Sequence, residues 1–136
     1  MEIALFEARK AAAVGEVPIG AVIRDDVNDT ILVSTHNKVE QLLDPTAHAE
    51  ILAIREATSV LGTKVLSNCT IFVTLEPCAM CAQAISLARI KKLVFGALNN
   101  KKHVVTANKA LISKYGDQLS KIAEKNKVNL EYEAAV

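Results

Sequence analysis

Two short polar motifs place the tightest constraint on how this chain can fold. The first is Asp44-Pro45-Thr46-Ala47-His48-Ala49-Glu50, and the second, some thirty residues later, is Thr74-Leu75-Glu76-Pro77-Cys78-Ala79-Met80-Cys81. Together they supply one imidazole, one carboxylate and two thiols, a set of groups that suits a zinc ion holding a reactive water. Binding one ion requires the segments around His48 and Cys78 to meet in the folded chain.

The rest of the chain predicts short strands and helices in alternation. Helices are expected at 2–13, from about 48 to about 61, from 77 to about 89, and at 107–125, on the basis of apolar spacing, proline at or near helix starts and glycine after helix ends. Strands are expected at 20–24 and 30–34, paired as a hairpin, and at 69–74, 92–96 and 128–132. This order predicts an α/β fold of three layers, in which a central mixed five-stranded sheet is flanked by helices on both faces.

Length and cysteine usage narrow the class of protein. A chain of 136 residues fits one compact domain, 1–136. It has no apolar run near eighteen residues, and acidic Glu2 and Glu7 lie near the start, so neither a transmembrane span nor a secretion signal is predicted. We therefore expect a cytoplasmic protein. Two of the three cysteines form Cys78-x-x-Cys81, which in a reducing compartment favours metal or redox chemistry over a structural cross-link.

Charge is divided unevenly along the chain. Residues 1–88 carry a formal charge of −5, whereas residues 89–136 carry +6. A basic C-terminal third suits a polyanionic partner, although a lysine-rich solvated helix face would have the same composition. With three Phe and two Tyr, the chain does not favour a broad base-stacking platform. Any nucleic acid would be recognised through a pocket and through its phosphates.

The two cysteines are spaced to bind one metal. Side chains at i and i+3 of a helix point to the same side, and the positive end of the helix dipole is expected to lower the thiol pKa values of Cys78 and Cys81. Redox pairs in thioredoxin-like proteins share this spacing, so the cysteine motif alone leaves both interpretations open. His48 favours the metal interpretation, because a third ligand leaves one tetrahedral position for water, as in catalytic zinc sites. Glu50 would then carry protons between that water and a substrate.

This interpretation requires a particular backbone geometry at the start of the helix that carries His48 and Glu50. Positions i and i+2 of a regular helix diverge by about 200°. His48 and Glu50 can therefore address one water only if His48 lies at an irregular helix start, which the preceding Pro45 and Thr46 favour. If instead His48 were a core or solvated histidine, Glu50 would be an ordinary acid on a helix surface.

His-x-Glu with Pro-Cys-x-x-Cys is the signature of zinc-dependent nucleobase deaminases. The fuller sequence closely resembles the bacterial tRNA adenosine deaminases of the cytidine and deoxycytidylate deaminase superfamily in four segments: Gly15–Val22, His36-Asn37, Asp44–Ile51 and Val73–Cys81. The resemblance runs from about Met1 to Ala97. It implies a cytidine-deaminase-like fold, one Zn²⁺ per chain, a homodimer, and conversion of adenosine to inosine at the wobble position of tRNA.

The resemblance also implies residue roles. His48, Cys78 and Cys81 would be zinc ligands, and Glu50 would be the catalytic proton shuttle. The target base would be contacted by the Asn37 side chain and the Ala49 backbone, with Val17 lining the pocket. A turn residue in a polar loop is the alternative for Asn37. The resemblance decays after Ala97: Asn99 stands beside the predicted substrate entrance where the family usually has an acidic residue, and the chain reads to Val136 without the family's further helix. Candidate phosphate contacts that could partly replace that helix are Lys101, Lys102 and Lys109.

Three hypotheses follow for function. The leading one is deamination of adenosine in a tRNA anticodon loop. The alternative is a deaminase of another substrate, namely a free base or nucleoside (guanine or cytosine) or single-stranded DNA. The third is a noncatalytic partner subunit stabilised by zinc, which the presence of Glu50 disfavours, because a purely structural site needs no proton shuttle.

Overall fold

The computed structural model describes residues 1–96, 104–106, 121 and 130–132. Its helices are α1 (Glu2–Ala13), α2 (Val39–Leu42), α3 (Ala49–Leu61) and α4 (Ala79–Leu87), and its strands are β1 (Gly20–Asp25), β2 (Thr30–His36), β3 (Cys69–Val73), β4 (Lys92–Phe95), β5 (Val104–Thr106) and β6 (Leu130–Tyr132). None of the described helices has the length and apolar character needed to cross a membrane. The predicted helix at 107–125 lies outside the described residues, Lys121 excepted.

The predicted elements between residues 2 and 95 are confirmed, with small changes at their ends. The α3 helix begins at Ala49, where its start was predicted, and α4 begins at Ala79, two residues after its predicted start. Residues 35–44, expected to be irregular, include the single helical turn α2. Its Val-Glu-Gln-Leu sequence is too short to show a helical period, which is why the sequence did not predict it.

The strands form a mixed sheet in the order β2-β1-β3-β4. The β1 strand pairs antiparallel with both β2 and β3, and β3 pairs parallel with β4. The predicted mixed sheet is therefore confirmed. Four of its strands are described, and a fifth stays a prediction, because β6 pairs in parallel with the unpredicted three-residue strand β5 in a second, two-stranded sheet.

Helices cover both faces of the sheet, as predicted. One face carries Ala21, Ile23, Ile71 and Val73, and these side chains share the hydrophobic core with α3 and α4. The α3 helix presents Ala53 and Ala57, one helical turn apart and fully buried, so that its backbone approaches the strands closely. The α1 helix packs against β1 and β2 on the opposite face, where its buried Glu7 contacts Ser34 and His36 of β2.

Strand register gathers the chain segments of the two motifs at one edge of the sheet. Gly20, the first residue of β1, pairs with His36, the last residue of β2. The next residue, Ala21, pairs with Val73, the last residue of β3. The loop before β1, the loop after β2 and the turn after β3 therefore all emerge at the same edge. Ligand sites of open α/β sheets commonly lie at such an edge.

Candidate metal centre and adjoining pocket

His48 lies immediately before α3, in an extended conformation with φ −69° and ψ 150°. The turn before His48 is stabilised by Asp44, whose Oδ1 accepts hydrogen bonds from the backbone N–H and the hydroxyl of Thr46 at 2.8 and 2.7 Å. The His48 N–H in turn donates to the Thr46 carbonyl at 2.7 Å. This is the irregular helix start that a shared water between His48 and Glu50 requires.

The two cysteines approach the same nitrogen of His48. Cys78 directly precedes α4, and Cys81 lies in the first turn of that helix. Each sulfur lies 3.6 Å from His48 Nδ1, and the three potential ligand atoms all lie within 4.8 Å of one another. A tetrahedral zinc ion with Zn–S of about 2.3 Å and Zn–N of about 2.0 Å would separate nitrogen and sulfur by roughly 3.6 Å. The donor set and its spacing therefore fit zinc.

The cluster is open on one side. Cys81 is fully buried, His48 is half-buried, and Cys78 is exposed. A structural zinc site is closed by four protein ligands, whereas a catalytic site keeps one position accessible. Three candidate ligands with an exposed side match the arrangement of a catalytic site. The placement of one imidazole nitrogen between both sulfurs also favours metal binding over a simple dithiol redox pair.

The thiol of Cys81 does not have the lowered pKa expected from the helix dipole. Burial raises the pKa of Cys81 far above its usual range, and the nearby Glu50 and Cys78 raise it further. The predicted lowering is therefore wrong for Cys81, because burial removes the hydration that stabilises a thiolate. A cation bound by the three side chains would act in the opposite direction and favour the thiolate.

Glu50 is a buried carboxylate beside this cluster. It is 3% exposed, and its Oε2 has no hydrogen-bond partner among the described residues. Burial raises the pKa of Glu50 above its ordinary value, although its own backbone N–H, the neighbouring His48 and a hydrogen bond with Cys81 act in the opposite direction. Unpaired buried carboxylates are costly and concentrate at functional sites. Glu50 is thus placed to accept and release a proton.

A cavity of about 510 Å³ adjoins His48. Its walls include Asn37 and Val17, two of the residues predicted to contact a base. Asn37 is buried and Val17 is exposed at 58%, as expected for a polar contact inside a pocket and an apolar residue at its mouth. The Ala49 side chain lies in the hydrophobic core, which leaves its backbone as the part available for a ligand. The predicted residues Asn99, Lys101, Lys102 and Lys109 lie outside the described residues.

One residue of the cavity was missed by reasoning from sequence. Glu16 lines the cavity and is 5% exposed. Burial alone would raise its pKa, but hydrogen bonds from the backbone N–H groups of Gln41, Glu40 and Val39 and from the Asn37 side chain hold that pKa below its ordinary value. The available signal was a single acidic residue in the largely apolar stretch Gly15–Val22.

The sequence of residues 1–97 matches the family described as the cytidine and deoxycytidylate deaminase zinc-binding region. A tRNA-specific adenosine deaminase of Aquifex aeolicus is 52% identical over 101 residues. The match includes 74% of this chain and 66% of that protein, so the chain spans just under two-thirds of that relative.

Solved structures share this fold. A chain from a study of A-to-I editing by tRNA:A34 deaminases is 49% identical with a TM-score of 0.67, and the match covers 70% of this chain and 67% of that one. A guanine deaminase from Bacillus subtilis is 28% identical with a TM-score of 0.66, and that match covers 88% of this chain and 90% of the other. On the family match, which holds the His48, Cys78 and Cys81 cluster, the chain belongs to the cytidine and deoxycytidylate deaminase family.

Proposed function

We propose that this protein is a zinc-dependent hydrolase that converts adenosine to inosine at the wobble position of tRNA. The observation that carries the proposal is the convergence of His48, Cys78 and Cys81 within 4.8 Å, next to a buried carboxylate with an unpaired oxygen. The names of the relatives, tRNA-specific adenosine deaminases at about half sequence identity, support the choice of adenosine in tRNA.

Hydrolytic deamination replaces the exocyclic amine of the base by an oxygen from water and releases ammonia. A zinc ion held by the three ligands would supply a polarised water at the fourth position. Glu50 accepts one proton from the attacking water and passes it to a ring nitrogen of the base. It then takes the remaining proton from the hydroxyl that has been added to the ring carbon, and delivers it to the departing amine, which leaves as ammonia. Its burial suits both roles, because a carboxylate with a raised pKa takes up a proton more readily than an exposed one.

The cavity residues hold the base in position for this transfer. The Asn37 side chain offers a donor and an acceptor to the edge of the base, and the backbone at Ala49 contacts the ring edge near Glu50. Val17, more than half exposed at the cavity mouth, covers the ring with apolar surface. Because the cavity can enclose one base and not a duplex, the target nucleotide enters from a single-stranded loop.

Guanine is a second candidate substrate. The support is the guanine deaminase of Bacillus subtilis, whose match covers more of both chains than the match to the tRNA:A34 deaminase structure does, although at lower identity. The two reactions share the metal, the proton carrier and the water. They differ in the ring carbon that loses its amine, C2 in guanine and C6 in adenine, and in whether the base arrives free or attached to RNA.

One comparison of substrates tests the proposal. Purified protein is incubated with an anticodon stem-loop carrying adenosine at the wobble position, and separately with free guanine, cytosine and their nucleosides. We expect inosine in the RNA and no ammonia from the free compounds. Ammonia release from guanine with unmodified RNA would replace the first proposal by the second. No turnover of any substrate by zinc-loaded protein would favour a noncatalytic subunit.

Further features belong to the same proposal. We propose a homodimer with one Zn²⁺ per chain, and contacts between tRNA phosphates and Lys101, Lys102 and Lys109, which belong to the basic part of the sequence. Asn99 would lie at the substrate entrance. A reducing cytoplasm is the compartment we propose, because Cys78 and Cys81 must stay reduced to bind the metal. We also propose that residues 1–136 form a single deaminase domain.

A further inference from the structure

Glu16 connects two of the loops that form the cavity. It belongs to the loop between α1 and β1, and its carboxylate reaches the segment after β2. Its Oε1 accepts a hydrogen bond from the Gln41 N–H at 2.8 Å, and its Oε2 accepts one from the Asn37 side-chain amide at 3.4 Å. Both carboxylate oxygens of this buried side chain are therefore occupied by one short segment, 37–41.

The same segment is tied to the loop that carries His48. The Lys38 N–H donates to the Ala47 carbonyl at 3.0 Å, and the Asn37 N–H donates to the Ile19 carbonyl at 3.0 Å. Three loops of the cavity are thus linked through residues 37 and 38. Displacement of Asn37 would change the cavity wall and would also shift the loop next to the candidate metal ligand His48.

The chemistry of a carboxylate fixes which way the Asn37 amide faces. An ionised carboxylate only accepts hydrogen bonds, so the NH₂ group of Asn37 must face Glu16. The amide oxygen is then turned away from Glu16, and one of the two N–H bonds is already used. A neutral amide side chain in place of Glu16 offers one acceptor and two donors. It could therefore pair with either end of the Asn37 amide and would not fix its orientation.

We infer that Glu16 is a positioning residue, which holds the Asn37 amide in a single orientation and thereby sets the hydrogen-bonding groups that Asn37 offers to the base. This inference rests on the proposed function for the contact between Asn37 and the base. The contact between Glu16 and Asn37 can be tested without substrate, so the two can fail separately.

The direct test is the side-chain NH₂ signal of Asn37 in NMR spectra of ¹⁵N-labelled, zinc-loaded protein, identified by its loss in Asn37→Ala. We expect Glu16→Gln to shift this signal and speed the exchange of its protons with water. Asp25→Asn is the matched control, because Asp25 is also buried and, like Glu16, accepts hydrogen bonds from backbone N–H groups and from one asparagine side chain, Asn28. It should leave the Asn37 signal unchanged. Should Glu16→Gln not fold, Glu16→Asp, which keeps the charge on a shorter side chain, provides the same measurement.

A double-mutant comparison tests the functional part. On the anticodon stem-loop, we expect Glu16→Gln to lower kcat/KM about tenfold in the wild-type background, and less than about twofold in the Asn37→Ala background. An unchanged Asn37 signal in Glu16→Gln, or the same tenfold loss in both backgrounds, would overturn the inference. If wild-type protein leaves the RNA unmodified, the proposed function fails, and the NMR result alone decides whether Glu16 orients Asn37.

Discussion

His48 and Cys78 occupy equivalent positions, each immediately before a different helix. Each directly precedes the first helical turn with an extended backbone, at φ −69°, ψ 150° for His48 and φ −67°, ψ 171° for Cys78, and His48 Nδ1 lies 3.6 Å from Cys78 Sγ. The starts of α3 and α4 therefore converge on one point. Their dipoles both favour negative charge there, which suits thiolate ligands and a developing hydroxide.

Glu50→Gln should abolish deamination without loss of metal or fold. The amide keeps the shape of the side chain but cannot carry the proton, so kcat should fall about 10²-fold to 10⁴-fold. The melting temperature should not fall, because burial penalises the charged carboxylate that the substitution removes. Inosine formation, zinc content and thermal unfolding measure the three effects.

Glu56→Gln is the control for this prediction. Glu56 lies in the same helix but is exposed, so its substitution should leave turnover, zinc content and melting temperature unchanged. Substantial turnover by Glu50→Gln would remove Glu50 from the mechanism.

Zinc affinity should weaken as the pH falls. Burial raises the pKa of Cys81, so the thiol is protonated in the metal-free chain near neutral pH and must release its proton when the metal binds. Lower pH therefore favours the metal-free form. Competition with a coloured chelator between about pH 6 and 8 should show this trend, and Cys81→Ser should lose the metal.

Cys69→Ser is the matched control, since Cys69 is equally buried but lies outside the cluster. Its zinc content should equal that of the wild type. An affinity independent of pH would show that Cys81 is not among the ligands.

Glu7 should make stability depend on pH in the acid range. Burial opposes ionisation of Glu7, but hydrogen bonds and charge from Lys10 and His36 hold its pKa below 4.5. The folded form thus binds this proton less readily than the unfolded form, and the stabilisation is complete above about pH 4.5 and lost as the pH falls through the lowered value. Glu7→Gln should lower the free energy of unfolding by about 1–3 kcal/mol at neutral pH, and by less under acid conditions.

Urea unfolding at several pH values measures this difference. Glu2→Gln, in the same helix but exposed, should show the wild-type pH dependence. If Glu7→Gln lowered the free energy of unfolding equally at pH 3 and pH 7, this would contradict a lowered pKa for Glu7.

The helices, the hairpin and the zinc-ligand candidates could be predicted because their signals are local. Proline precedes both α3 and α4, glycine ends α3, and the Cys78 and Cys81 spacing is a helical one. Three features could not be predicted in this way. The pairing between β5 and β6 joins segments far apart in sequence, and the contact of Glu16 with Asn37 depends on the register of β1 and β2, which brings Gly20 opposite His36. The raised pKa of Cys81 likewise depends on burial, which becomes visible only in the packed structure.

Gly20→Ala should destabilise the fold more than an ordinary glycine substitution. A Cβ at Gly20 would overlap the Ala4 carbonyl oxygen and crowd the Ala8 N–H of α1. Because α1 must shift away from the sheet, we expect a loss of about 3 kcal/mol, at the upper end for overpacking. Chemical denaturation gives this value directly.

Gly62→Ala separates this steric effect from backbone strain. Gly62 ends α3 at φ 64°, and an added Cβ would meet nothing within 4 Å. Its substitution should therefore cost about 1 kcal/mol, from the left-handed backbone alone. Equal losses at Gly20 and Gly62 would show that α1 tolerates the added methyl group.

Leu87→Glu should separate the proposed homodimer into monomers. Leu87 lies at the end of α4 and is 73% exposed. It borders a groove of about 670 Å³ that is also lined by Ile54, Thr58 and Ala84 of the two helices and by Lys64, Val65, Ala88 and Arg89 of the segments that follow them. Burial of one leucine contributes about 1.5–3 kcal/mol, and a two-fold symmetric interface buries two. Loss of both should raise the dissociation constant about 10²-fold to 10⁴-fold, measurable by analytical ultracentrifugation. Val27→Glu, at a residue 71% exposed in the turn between β1 and β2, should stay dimeric. A dimer of unchanged affinity in Leu87→Glu would place the interface elsewhere on the protein.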